Sequence, residues 1–97
     1  MLVEVALMAT YYAGKFAGRP TASGELFYLN KMTAASIDFK VGQAPYYLKV
    51  RRGKRVLLVR VNDRCPIPGR LDLSPAAARY LGVLELGKAR VWVTKVP

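Results

Sequence analysis

The apolar residues of this chain fall in short runs rich in Val, Leu and Tyr, separated by stretches rich in Gly and Pro. "VEVALMATYY" at 3–12 has no helical spacing and stops before Gly14, which predicts a strand. "PYYLKV" and "RVLLVRV" flank "RRGK", the pattern of a β-hairpin that turns at Gly53. In its second strand Leu57, Val59 and Val61 would share one face, with Val56, Leu58 and Arg60 on the other. "KARVWVTKV" closes the chain as an alternating strand, Ala89, Val91 and Val93 against Arg90, Trp92 and Thr94. "SPAAARYLG" carries both helix signals, with Ser74 at the N-cap, Pro75 at the first helical position and Gly82 just past the end. Leu26 to Leu29 is expected as a short strand, Thr33 to Ser36 as a helical turn, and 62–70 as a loop holding Asn62, Pro66, Pro68 and Gly69. Five or six short strands and one or two short helices make an all-β fold. Closing them into a small barrel would remove the exposed strand edges.

Ninety-seven residues make one domain, 1–97, and a chain this short buries only about 60–65% of its unfolded surface, which leaves no room for a second core. No segment approaches the roughly 18–20 apolar residues of a membrane span. Glu4 interrupts the first apolar run and no basic region precedes it, so the start does not read as a signal peptide. A protein working outside the cytoplasm would have its export signal outside this chain.

Sixteen Lys and Arg against six Asp and Glu give a formal charge of +10, which favours polyanions such as nucleic acid, anionic lipid or an acidic cell wall. No aromatic-interleaved RNA motif and no recognition helix accompanies that charge, so nucleic acid is the weakest of these partners. Histidine is absent and Cys65 is the lone cysteine, so no zinc site and no internal disulfide can form; neither a metal nor a cofactor is expected.

Residues 13–24, "AGKFAGRPTASG", form a loop too long for a simple hairpin and therefore a candidate binding surface. Tyr11 and Tyr12 beside it could stack on the flat face of a sugar, with Thr10 as a polar neighbour; alternation lets only one of the two tyrosines face outward. Tyr46 and Tyr47 read as barrel wall and Trp92 as core. Lys49, Arg51, Arg52, Lys54 and Arg55 cluster at the hairpin tip, either as a solvated turn or as a contact for phosphates or carboxylates.

"TASGE" at 21–25, "TAA" at 33–35, "VRVNDRCP" at 59–66, "GRLDLSPAAARYLG" at 69–82 and "ARVWV" at 89–93 resemble, in order and spacing, the rare lipoprotein A (RlpA) type of double-psi β-barrel. Expansins and their bacterial relatives look similar in the same elements. The resemblance implies a six-stranded double-psi β-barrel with a groove for a glycan strand. It also implies a cell-envelope or secreted location, and a monomer whose partner is peptidoglycan or another anionic wall glycan. RlpA-type proteins cut peptidoglycan by lytic transglycosylation, whereas expansin-like proteins bind and loosen wall polysaccharide without measurable hydrolysis.

The family pattern places a histidine directly after "TAA", where this chain has Ser36, and pairs it with the glutamate of "SGE" and the aspartate of "ND", here Glu25 and Asp63. A carboxylate pair can in principle protonate a leaving oxygen and stabilise an oxocarbenium-like transition state, while serine cannot replace an imidazole as acid or base near neutrality. The resemblance therefore implies wall-glycan binding and remodelling with impaired catalysis. The alternatives are an active lytic transglycosylase using Asp63 and Glu25, and a basic nucleic-acid-binding β-domain. Asp63 reads either as an Asx residue paired with Arg64 or Arg70, or as a groove residue. Asp72 either steadies the chain ahead of the Ser74 cap or lines the groove, and Glu25 is either loop surface or part of the site. Arg64 and Ser36 join Asp72, Thr10, Tyr11 and Tyr12 as candidate substrate contacts. Cys65, where the family usually has glycine, is not expected to act as a nucleophile.

Overall fold

The computed structural model describes residues 3–12 and 14–97; Ala13 of the first loop, and Met1 and Leu2 of the segment read for a signal peptide, lie outside the described residues. Six strands close into a barrel: β1 (Val5–Tyr11), β2 (Thr33–Ser36), β3 (Tyr46–Arg52), β4 (Arg55–Arg64), β5 (Arg70–Leu73) and β6 (Ala89–Lys95). Around the barrel they run β1-β5-β2-β4-β3-β6. The β1–β5 and β2–β4 pairs are parallel and the other four antiparallel. Every strand thus has two neighbours, and no edge is left to pair with another chain. Two short helices, α1 (Pro75–Tyr80) and α2 (Val83–Leu86), connect β5 to β6.

The core follows the alternation of the strands. Ala9, Ala34, Val50, Val59, Val61, Leu71, Leu73 and Val91 are fully buried, and the inward face expected for Val59 and Val61 is the one observed. Phe39, from the stretch between β2 and β3, is the largest fully buried side chain and adds its ring to that cluster. Arg52 pairs with Arg55 across a two-residue turn, and Gly53 at its first position has φ +60°. The positive φ there, with none at Lys54, matches the turn class that follows the twist of a hairpin.

Ser74 caps α1 as its spacing predicts: its Oγ accepts from the Ala77 N–H at 3.3 Å, and also from the Thr33 N–H at 3.3 Å, tying the helix start to β2. Three local expectations are corrected. Thr33–Ser36 is strand β2, not a helical turn, because its backbone pairs on both sides inside the barrel. Leu26–Leu29 forms no strand, only a single bridge between Pro20 and Leu26. The loop begins after Arg64 rather than at Asn62, since pairing with β2 carries β4 three residues further.

Candidate functional site

Four residues on four neighbouring strands stand in one row across the barrel wall. Thr10 of β1 is level with Asp72 of β5, Asp72 with Ala35 of β2, and Ala35 with Asp63 of β4. At about 4.8 Å between strands, the backbones of the two aspartates are roughly 10 Å apart, with Ala35 between them.

Strict alternation along β4 would turn Asp63 toward the core, as it does Val59 and Val61. The register slips at this point: Ala34 is level with Val61 and Ala35 with Asp63, so Asn62 is an extra residue, a β-bulge. The bulge re-aims Asp63 onto the face that carries Asp72.

Asp63 is held from three sides. The Tyr12 hydroxyl donates to Oδ2 at 2.6 Å, and the backbone N–H groups of Ala22 and Arg64 donate to Oδ1, each at 2.9 Å. The Tyr12 ring stacks on buried Phe27, centroids 4.4 Å apart, and meets Phe16 edge-on at 6.1 Å, so the first long loop folds back over the end of β1. Burial, reinforced by the hydrogen bond to Asp63 and the charge on that carboxylate, raises the Tyr12 hydroxyl far above its usual range and keeps it a donor. Tyr11 is the more exposed of the two tyrosines and makes no hydrogen bond through its side chain among the described residues.

Asp72 accepts from Thr10 Oγ1 at 2.9 Å and does not contribute to the Ser74 cap. Burial raises its carboxyl above the usual range, with a further push from the charge of Asp63; the Thr10 hydrogen bond and the Arg70 charge oppose the rise only in part. The row therefore combines a half-buried carboxyl, whose proton affinity burial raises, with one gripped by three donors.

Glu25 belongs to a separate cluster. Arg60 Nη2 reaches Oε2 at 2.8 Å, Arg60 Nε reaches both carboxylate oxygens at 3.2 Å, and Asn62 Nδ2 reaches Oε1 at 3.0 Å. These hydrogen bonds, Arg60 first and Asn62 next, hold the Glu25 carboxyl below its usual range. A carboxyl held that way carries no proton to donate near neutrality. Ser36 is one step along β2 from Ala35 and therefore on its opposite face. It is buried beside Asp38 and Tyr46, level with Arg64 and Leu71, and it does not join the aspartate row. The Arg64 guanidinium donates to the Phe39 carbonyl at 3.3 Å, and only its backbone N–H touches Asp63. Cys65 is buried and unpaired.

Sequence reasoning missed the Ala22 N–H, the Phe27 stack and the Arg60–Asn62 grip on Glu25. The ring of Phe27 and the alternation of Arg60 with buried valines were visible, but their partners lie 15 to 37 residues away, and only the closed barrel brings them together.

Residues 4–93 match the family model described as lytic transglycolase, a double-psi β-barrel family. The chain is 45% identical over 89 residues to a probable endolytic peptidoglycan transglycosylase RlpA of Treponema pallidum, covering 90% of this chain and 28% of that protein. It is 47% identical over 90 residues to the endolytic peptidoglycan transglycosylase RlpA of Pseudomonas aeruginosa, covering 88% of this chain and 25% of that one. The protein of the same name from Neisseria meningitidis is 41% identical over 93 residues, 91% of this chain and 37% of the relative. The chain thus spans about a quarter to a third of the length of these curated relatives. Among solved structures, Streptomyces papain inhibitor superposes with a TM-score of 0.81 at 22% identity, covering 98% of this chain and 96% of the other. An expansin of Clavibacter michiganensis in complex with cellohexaose superposes at 0.78 and 24% identity, covering 98% and 51%. Both likenesses establish the fold.

Proposed function

This chain belongs to the lytic transglycolase family of double-psi β-barrels, and from that premise we propose that residues 1–97 form one monomeric domain that binds and remodels peptidoglycan at the cell envelope or outside the cell. The observation that carries this reading is the Thr10–Asp72–Ala35–Asp63 row. It offers a sugar strand two carboxylates and a threonine hydroxyl, with the Tyr12 hydroxyl bonded to one of the carboxylates. Relatives at 41–47% identity bear the name of peptidoglycan transglycosylases, and the charge of +10 suits an anionic wall polymer. Ser36 supplies no imidazole and lies off the row, which favours binding and loosening over rapid cleavage.

The unequal aspartates support a second reading, an active lytic transglycosylase. A half-buried carboxyl with raised proton affinity, as at Asp72, is suited to the acid role. Here Asp72, rather than Glu25, would give its proton to the leaving glycosidic oxygen as the bond to the anomeric carbon breaks. The Asp63 carboxylate would face the positive charge that develops there and take the proton of the substrate hydroxyl that closes the anhydro ring.

Sedimentation with purified peptidoglycan, followed by mass spectrometry of the soluble fraction, tests both. Binding without soluble products supports the first reading, and anhydro-muropeptides support the second. Absence of binding contradicts both and leaves the nucleic-acid alternative.

A further inference from the structure

A second, basic cleft lies at the far end of β4. Arg52, Lys54 and Arg55 of the hairpin tip meet Arg79, Gly82 and Glu85 of the α1–α2 corner around a cavity of about 470 Å³. Arg55 opens β4 and Asp63 follows eight residues later, roughly 26 Å away at the usual rise per residue, so this cleft is not part of the aspartate row.

Two of its four cations are fixed in place. Arg52 Nη1 donates to the Leu81 carbonyl at 3.0 Å, and Arg55 Nη1 to the Tyr80 carbonyl at 2.6 Å. These carbonyls sit where a helix leaves its acceptors unpaired and its partial charge negative. Gly82 makes room for the first contact. Its φ is +76°, and a Cβ there would stand 2.9 Å from Arg52 Nη1. Each guanidinium has five N–H donors and uses one on the helix.

None of the four cations is ion-paired among the described residues; the pairs found there join Arg51 to Glu4 and Arg60 to Glu25. Four positive side chains and one carboxylate, Glu85, therefore share one cavity. Their mutual repulsion is relieved by an anion that can accept from several directions at once. A phosphate fits that demand with its several acceptor oxygens, whereas a planar carboxylate satisfies a single guanidinium fork.

We propose that this cleft is a phosphate-binding site, distinct from the glycan groove, that recognises a phosphate group carried by a lipid headgroup or free in solution. Arg52 and Arg55 are its preorganised donors, and Lys54 and Arg79 close on the anion from the rim. The assignment does not depend on the glycan reading, since it uses none of the same side chains.

The test uses the whole chain with two probes, inorganic phosphate followed by amide NMR shifts, and phosphatidylglycerol–phosphatidylcholine vesicles followed by sedimentation. The double substitution Lys54→Gln/Arg79→Gln removes the two rim charges, whose side chains make no hydrogen bond among the described residues, so the fold persists. Wild type should show saturable shifts at 52–55 and 79–85 with phosphate beyond those given by chloride at equal ionic strength. The double variant should bind the anionic vesicles roughly thirtyfold more weakly, from the usual contribution of two basic side chains near such a surface. Glu85→Gln should strengthen binding. Saturable shifts with inorganic phosphate support a site for free phosphate. Vesicle binding that the double substitution weakens, without those shifts, supports recognition on a lipid surface. Shifts no larger than with chloride, together with vesicle binding that the double substitution leaves unchanged, overturn the proposal.

Discussion

The Tyr12 hydroxyl donates to Asp63 Oδ2 at 2.6 Å, joining the residue that follows β1 to the bulged end of β4 across 51 positions of sequence. Tyr12→Phe keeps the ring on Phe27 and removes only this donor. Asp63 retains its two backbone N–H partners, so we expect a loss of about 1–2 kcal/mol, a melting temperature lower by roughly 5–10 °C, and an unchanged fold. An unchanged melting temperature would show that the bond contributes nothing.

Asp72 makes the opposite prediction. Burial raises its folded pKa above the unfolded value, so the unfolded chain loses that proton first, and stability falls as pH rises from the unfolded toward the folded pKa. Asp72→Asn keeps an acceptor for Thr10 and has no charge to bury. The variant should match wild type at pH 3 and melt higher than wild type at pH 7, while losing affinity for the glycan. Melting curves that coincide at pH 7 would contradict the burial argument.

Glu25→Gln should weaken the fold slightly at neutral pH. The folded pKa of Glu25 is depressed by Arg60 and Asn62, so its contribution is present above the unfolded carboxyl value and is lost as pH falls through the folded one. The pair is partly exposed, which limits the effect to about 0.5–1 kcal/mol. Melting of wild type and variant should differ at pH 7 and converge near pH 2; a gap that persists in acid would assign the effect to packing instead.

Ser36→His places an imidazole where the site is buried and narrow. Overpacking should cost about 1–3 kcal/mol. Because position 36 lies on the face of β2 opposite the aspartate row, the imidazole should leave the release of anhydro-muropeptides unchanged. A folded variant that releases them measurably faster than wild type, by the roughly 10²–10⁴-fold typical of acid–base assistance, would contradict that placement.

The strands, the hairpin and the capped helix were legible because each is written locally, in alternation, in Gly53, and in Ser74 with Pro75. Thr33–Ser36 misled because "TAAS" has little strand character; pairing with β4 and β5 decides its conformation. The orientation of Asp63 was not legible at all, since it depends on a register slip between two strands far apart in sequence. The same holds for the grip of Arg60 and Asn62 on Glu25, which joins residues 35 and 37 positions apart. The basic hairpin tip was visible as charge, but its role against the end of α1 appears only once Arg52 and Arg55 reach the Leu81 and Tyr80 carbonyls.

The central claim is that the aspartate row binds the glycan, and the most direct measurement is the affinity of wild type, Asp63→Asn and Asp63→Asn/Asp72→Asn for purified peptidoglycan at one salt concentration. An amide at 63 can still accept from the backbone N–H groups of Ala22 and Arg64 through its one oxygen while its NH2 donates to the Tyr12 hydroxyl oxygen, so the fold should stand while affinity falls at least tenfold in the single variant and further in the double. Wild-type affinity in a folded double variant would contradict the account and move the glycan elsewhere on the barrel.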